Sequence, residues 1–338
     1  MIFTFLIVFF LIFAEIALAL LRPQPYVYSR LGYSEKYIKF PFANVTIEHC
    51  VPPNKRYYTT NEYGLRGPAI SPGKAFKLPN IVLLGDSYTF GMGVNDGREF
   101  ASILRDELAL HYNVINCGVG GWGLTQQIRY YYEFASQYDP KIIFLLFHVN
   151  DPLDNMQDCV TIVKNGGFRF IDYSKTSHSR IYRWSRLLSK SIIQKSNLYN
   201  ALRFLYYNRH QKKAVTDNEQ TVLATPSMQK QDIPIHEKYY IDLLTLFAQD
   251  ITSQGKQLFI ASVNYLEGGN IESWMTLFPH IYEGTLALER SHLLDYIDIN
   301  AWFAPPDLVF SPVGHYDTQW HQKMGVNLAH YILNSRTR

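Results

Sequence analysis

Cysteine is scarce in this chain. Only Cys50, Cys117 and Cys159 occur in 338 residues, too few for a disulfide framework and without the spacing of a metal site. Cys117 lies in an apolar run and reads as a small core residue, while a bridge between Cys50 and Cys159 stays open. Charge is sparse too: 18% of residues are charged and 47% are hydrophobic, which excludes a disordered chain and supplies apolar surface for a large core. The formal net charge of +3 gives no global case for nucleic-acid binding. No internal repeat is evident. The eleven histidines include no helical pair of the metalloprotease kind, and neither metal nor cofactor is expected.

The N-terminus lacks charge almost entirely. Met1 to Leu21 is apolar but for Thr4 and Glu15, and at about 1.5 Å per residue it reaches about 30 Å, the thickness of a bilayer core. Arg22 and Pro23 stop it. Its apolar character runs all the way round, unlike a core helix with one buried face. Ala17-Leu18-Ala19 would suit cleavage of a signal peptide, but no basic region precedes the apolar run. An uncleaved anchor accounts for both the length and the Arg-Pro stop and is the favoured reading. Either reading places the rest of the chain outside the cytoplasm, periplasmic or at the outer surface.

The chain divides into this segment (1–22), a connector rich in Pro, Tyr and Gly with short extended pieces (23–77), and one large domain (78–338). Within the domain, short apolar runs alternate with amphipathic stretches, the pattern of a parallel α/β sheet covered on both faces. The runs predict strands over Asn80–Gly85, Asn113–Asn116, Lys141–Phe147, Gln257–Val263 and Tyr296–Ile299. Helices are predicted over Glu99–Leu110, Thr125–Ser136, Glu237–Ser253 and Thr318–Asn334. Between the third and fourth strands lies an insertion of about 155–235. Inside it, residues 175–213 hold ten Lys or Arg and no Asp or Glu, with Arg183, Arg186 and Lys190 at helical spacing beside Ile181, Trp184, Leu187 and Leu188. Two readings stand: a solvated basic face of a packed helix, or a basic amphipathic element lying on anionic lipid or an anionic polymer.

The chemistry sits at strand ends. Ile81-Val82-Leu83-Leu84-Gly85-Asp86-Ser87 runs a buried strand into a serine, which open α/β sheets place where ligands bind. Asn116-Cys117-Gly118-Val119-Gly120-Gly121-Trp122-Gly123 follows the second strand, and its glycines let backbone N–H groups approach a ligand closely. His148-Val149-Asn150-Asp151 follows the third. Gly314-His315-Tyr316-Asp317 precedes the last helix, which Asp317 can cap. A hydroxyl, a backbone amide, an asparagine and a histidine at successive ends are the parts of an acyl-transfer site.

These four blocks resemble those of the SGNH (GDSL-like) hydrolase family, and the likeness runs over about residues 78–335. The anchor and Asn61-Glu62-Tyr63-Gly64-Leu65-Arg66-Gly67 resemble segments of membrane-anchored bacterial members. The resemblance implies a three-layer α/β/α, flavodoxin-like fold and hydrolysis of esters. By position it implies Ser87 as nucleophile, Gly121 and Asn150 as oxyanion donors, and His315 as general base. The elbow of the other common esterase fold, a serine flanked by glycines two residues away on each side, is absent.

Two positions depart from the family pattern. His148 stands where the third block usually begins with glycine, and is expected to alter the pocket wall. Pro312 and Val313 occupy the places of the acid that usually precedes the histidine, leaving a Ser-His dyad oriented by a backbone carbonyl, or the more distant Asp307, to serve. His321, with Gly325 and Ala329 after it, offers a second alignment of the last block. It falls inside the final helix, so His315 is preferred. Three functions remain in view: an ester hydrolase acting on an acylated lipid or O-acetylated glycan, an O-acyltransferase of cell-surface polysaccharide, and a non-catalytic scaffold that binds glycan or protein. The membrane is an expected partner through residues 1–21 and, on the second reading of the basic stretch, through residues 175–213.

Overall fold

Apolar patterning sets each layer of the fold. The computed structural model describes residues 2–24, 26–28, 31–51, 54–73, 76–172, 192–203, 205, 233–263, 265–267, 270–272, 274–304 and 315–335. The first element is helix α1 (Ile2–Leu21). The segment read as a connector then forms antiparallel strands. β1 (Tyr26–Tyr28), β4 (Thr46–Val51) and β5 (Asn54–Thr59) make one sheet, and β2 (Leu31–Ser34) pairs with β3 (Ile38–Pro41). Ile47 and Tyr58 of this sheet are buried against Phe90 and Met92 of the large domain. Arg66, also from this part of the chain, is buried and donates to the carbonyls of Phe90 (3.2 Å), Gly91 (2.5 Å) and Val94 (2.8 Å). The connector is thus packed into the domain through buried contacts.

The large domain alternates strand and helix, as its apolar runs predict. β6 (Asn80–Gly85), β7 (Asn113–Asn116) and β8 (Pro140–Phe147) are linked through the single turn α2 (Ser87–Phe90), α3 (Phe100–Glu107) and α4 (Leu124–Glu133). After β8 come α5 (Asp151–Gln157) and the hairpin β9 (Thr161–Lys164) and β10 (Gly167–Phe170). Then follow α6 (Ile233–Ser253), β11 (Gln257–Ser262), a small hairpin of β12 (Tyr265–Glu267) and β13 (Asn270–Glu272), α7 (Pro279–Arg290), β14 (Asp295–Ile297) and α8 (Thr318–Ser335). The central sheet has the order β7-β6-β8-β11-β14, every pair parallel.

Side chains alternate across the sheet. Val82, Leu84, Ile143, Leu145 and Phe147 face α4, α6 and α7. Ile81, Leu83, Ile142, Phe144 and Leu146 face α3 and α8. The result is a three-layer α/β/α sandwich of flavodoxin-like strand order. Both faces are dry, which is why the strands read as unbroken apolar runs.

The ends of elements account for the differences from expectation. β14 stops at Ile297 because Asp298 caps a short 3-10 turn, accepting from Asn300 N at 3.2 Å. The helix expected over Thr125–Ser136 ends at Glu133, where Phe134 leaves helical geometry and a separate 3-10 turn, Ala135–Tyr138, begins. α7 was not among the expected helices. Of the basic stretch, only residues 192–203 and 205 are described; Arg183, Arg186 and Lys190 lie outside the described residues. Cys50, Cys117 and Cys159 are free thiols, and Cys117 is fully buried.

Candidate active site

The chain steps from β6 to β7 on one side and then crosses to β8 on the other. This reversal opens a crevice beyond the carboxyl ends of β6 and β8, the place where such sheets bind ligands. Ser87 stands there, half-buried, as the first residue of α2. Asp86 caps that turn, its Oδ1 accepting from Tyr88 N at 2.8 Å. The turn closes at Gly91, whose φ of 78° suits glycine.

His315 approaches from the residues just before α8. Asp317 caps α8 by accepting from Gln319 N at 3.0 Å and Trp320 N at 3.2 Å, which fixes where the preceding loop emerges. His315 Nε2 lies 2.9 Å from Ser87 Oγ. Its ring packs against Tyr88 at 5.1 Å, and the His148 ring stacks on Tyr88 at 4.2 Å. His321 sits elsewhere. It is buried in α8, lies parallel to the Phe100 ring, and its Nδ1 accepts from Phe100 N at 3.2 Å. Burial pushes its pKa down to about 3, so it is a neutral histidine joining α8 to α3. Pro312, Val313 and Asp307 lie outside the described residues.

The two expected oxyanion donors occupy the adjoining loops. Val119 N donates to Gly85 O at 3.1 Å and ties the loop after β7 to the end of β6. Within that loop Gly118 presses on α2, where a Cβ would come within 2.5 Å of Phe90 N. Gly121 has a φ of 73°, and its Cα faces Lys39 from β3. Asn150 directs its Oδ1 to His148 Nδ1, while its Nδ2 donates to Asp154 Oδ2 at 2.6 Å. An amide nitrogen carries two hydrogens, so the bond to Asp154 leaves one for another acceptor.

Residues 83–242 match the family model of the GDSL-like lipase/acylhydrolases. Over these residues the chain carries a GDSL-like domain. Its family is one of hydrolytic enzymes, and the matched residues include Ser87, Gly121 and Asn150. Similar solved structures include the psychrotrophic esterase EstA from Pseudoalteromonas sp., 9% identical, covering 77% of this chain and 99% of that one at a TM-score of 0.44. A lipolytic protein of the G-D-S-L family from Veillonella parvula is 16% identical, with 74% and 96% coverage and a TM-score of 0.42. A GDSL-like lipase from Bacteroides thetaiotaomicron is 10% identical, with 78% and 92% coverage and a TM-score of 0.43. A comparison with curated protein sequences found no match.

The GDSL-like domain surrounds its serine with groups that a reading of short motifs missed. Asp151, Asp154 and Asp158 lie along α5 and its end, and Lys39 pairs with Asp158 at 2.8 Å and with Asp154 at 3.9 Å. Burial pushes Asp86 up to about 7 and Asp154 up to about 7, and raises Asp151 well above the carboxylate range. His148 is likewise buried, which lowers its pKa to about 4. It replaces the expected family glycine with an imidazole that meets Asn150, a role beyond that of a pocket wall. Lys39 stands where a cation would balance Asp154 and Asp158. Among the described residues no group of three or more His, Cys, Asp or Glu is arranged to hold a metal ion. The helical spacing of Asp151, Asp154 and Asp158 was visible in the sequence, but nothing local marked Lys39 as their partner.

Proposed function

We propose that the protein is a serine esterase that cleaves carboxylic esters, acyl or O-acetyl groups on a lipid or glycan, through an acyl-enzyme on Ser87. One observation carries the reading: Ser87 Oγ and His315 Nε2 are 2.9 Å apart at the crevice of the parallel sheet. A neutral serine is a weak nucleophile. His315 takes its proton as Oγ attacks the ester carbonyl. The carbonyl oxygen then gains negative charge, and the N–H groups of Ser87 and Gly121 with the remaining Nδ2 hydrogen of Asn150 stabilise it. His315 gives the proton to the departing alcohol. Water, deprotonated by the same imidazole, then attacks the acyl-enzyme, releasing the acid and restoring Ser87.

The same reading assigns α1 to the membrane as an uncleaved single-pass anchor with the catalytic domain outside the cytoplasm. Its support is a helix of 19 candidate spanning residues, Phe3–Leu21, none of whose most apolar window is buried.

Hydrolysis of p-nitrophenyl acetate by the full chain tests the enzyme reading. Turnover is expected to vanish in Ser87→Ala, to collapse in His315→Ala and to persist in His321→Ala. Wild-type turnover that survives Ser87→Ala would sink it.

A further inference from the structure

Glu15 is the single charged residue of α1, and it is held by one short piece of the insertion. Its carboxylate accepts from Ser196 Oγ at 2.7 Å, Asn197 N at 2.7 Å, Asn197 Nδ2 at 3.2 Å and Leu198 N at 2.8 Å. Asn197 Oδ1 accepts in turn from Gln24 N at 2.8 Å, just past the end of α1. Lys195 pairs with Glu48 of β4, so the same piece is fastened to the N-terminal sheet. Residues 197–203 are helical. Ile193, Leu202 and Leu205 are 47%, 58% and 63% exposed.

Length decides what this docking means for a bilayer. Residues 3–13 of α1 are exposed, whereas Ala14, Glu15, Ala17 and Leu18 are half-covered. The exposed stretch reaches only about 16 Å at about 1.5 Å per residue. That is roughly half of the about 30 Å of hydrocarbon. A spanning α1 therefore carries its covered part, and Ser196 to Leu198 with it, below the headgroups. A carboxylate at that depth is tolerated only when hydrogen-bonded, and the insertion supplies four donors.

We propose that residues 192–203 and 205 form a second membrane contact, inserted beside α1 into the acyl region of the same leaflet. Lipid acyl chains occupy the face of Ile193, Leu202 and Leu205. The contact is apolar and does not depend on anionic lipid. Because Glu15 is built into it, α1 stays with the mature protein, and the domain lies against the bilayer instead of hanging from a tether. The proposal rests on the anchor reading above.

The test uses the full chain in vesicles of phosphatidylcholine alone. Nitroxides are placed through Leu202→Cys, Leu205→Cys and, as a control at an 85% exposed position, Leu110→Cys, each with Cys159→Ser. Collisions with dissolved oxygen are expected to exceed those with a water-soluble nickel chelate at 202 and 205, and the order to reverse at 110. Glu15→Leu is expected to move 202 and 205 towards the aqueous pattern. A lipid-borne diazirine gives a second measurement on the unmodified protein, with adducts expected among residues 192–203 and 205 as well as in α1. Labels at 202 and 205 as open to nickel as the label at 110, or adducts confined to α1, would overturn the second contact. Release of the wild-type protein by alkaline carbonate would overturn the anchor reading itself.

Discussion

Asn150 is held from two sides, by His148 at its oxygen and by Asp154 at its nitrogen. A side-chain amide so fixed can meet a developing oxyanion without reorganising, which is where preorganised donors act. Asn150→Ala is expected to lower kcat for p-nitrophenyl acetate about a hundredfold or more, with KM little changed. Lys39 acts one step further out, through Asp154 and Asp158. Removing its charge leaves the carboxyls of Asp154 and Asp158 without their cation and lets Asp154 turn from Asn150. Lys39→Met is expected to lower kcat by up to about a hundredfold, the scale of a small misplacement near reacting groups. Steady-state kinetics on both variants check this, and an unchanged kcat in Lys39→Met would contradict the positioning role.

At the scale of elements, the loop after Ser87 depends on a residue far from it in sequence. Arg66 is buried, bonds three carbonyls of residues 90–94, and reaches Asp96 at 3.0 Å and Glu99 at 3.4 Å. Breaking a buried pair strands its partner, here Glu99 beside Ser102. Arg66→Met is expected to cost about 3–5 kcal/mol, read from the urea midpoint at unchanged m-value. The same element shows what sequence could and could not tell. β6 and β7 were legible to the residue, because each is a short apolar run bounded by asparagine or glycine. The packing of β1–β5 and Arg66 on the domain was not legible, because their residues alternate weakly and their partners lie outside any short window. The nearness of His315 to Ser87 could be foreseen because a loop position before a helix capped by Asp317 could reach a strand end. His321, inside α8, could not.

For the whole molecule, buried titratable groups bend stability with pH in opposite senses. His148 and His321 are held at about 4 and about 3 against an ordinary 6.5. Their contribution is complete above pH 6.5 and is lost as pH falls through those folded values. Asp86 and Asp154 are raised to about 7 from 3.8, so their contribution is complete in acid and is lost as pH rises towards about 7. His321→Gln, which keeps an acceptor for Phe100 N, is expected to flatten the acid limb of a urea-stability profile. Asp154→Asn is expected to gain stability relative to the wild type as pH rises from about 4 to about 7. Parallel profiles would contradict both assignments. These buried groups come together only when β3, α5 and two strand ends converge, so their cluster was hidden from sequence although each strand-end block was not.

The most direct measurement is covalent. A serine-directed phosphonate reacts readily with a hydroxyl whose proton a neighbouring base removes, and mass spectrometry of the digested protein finds the adduct. A single adduct on Ser87 is predicted, lost in His315→Ala and kept in His321→Ala. A folded wild-type protein without that adduct, or equal labelling of both histidine variants, would contradict the account.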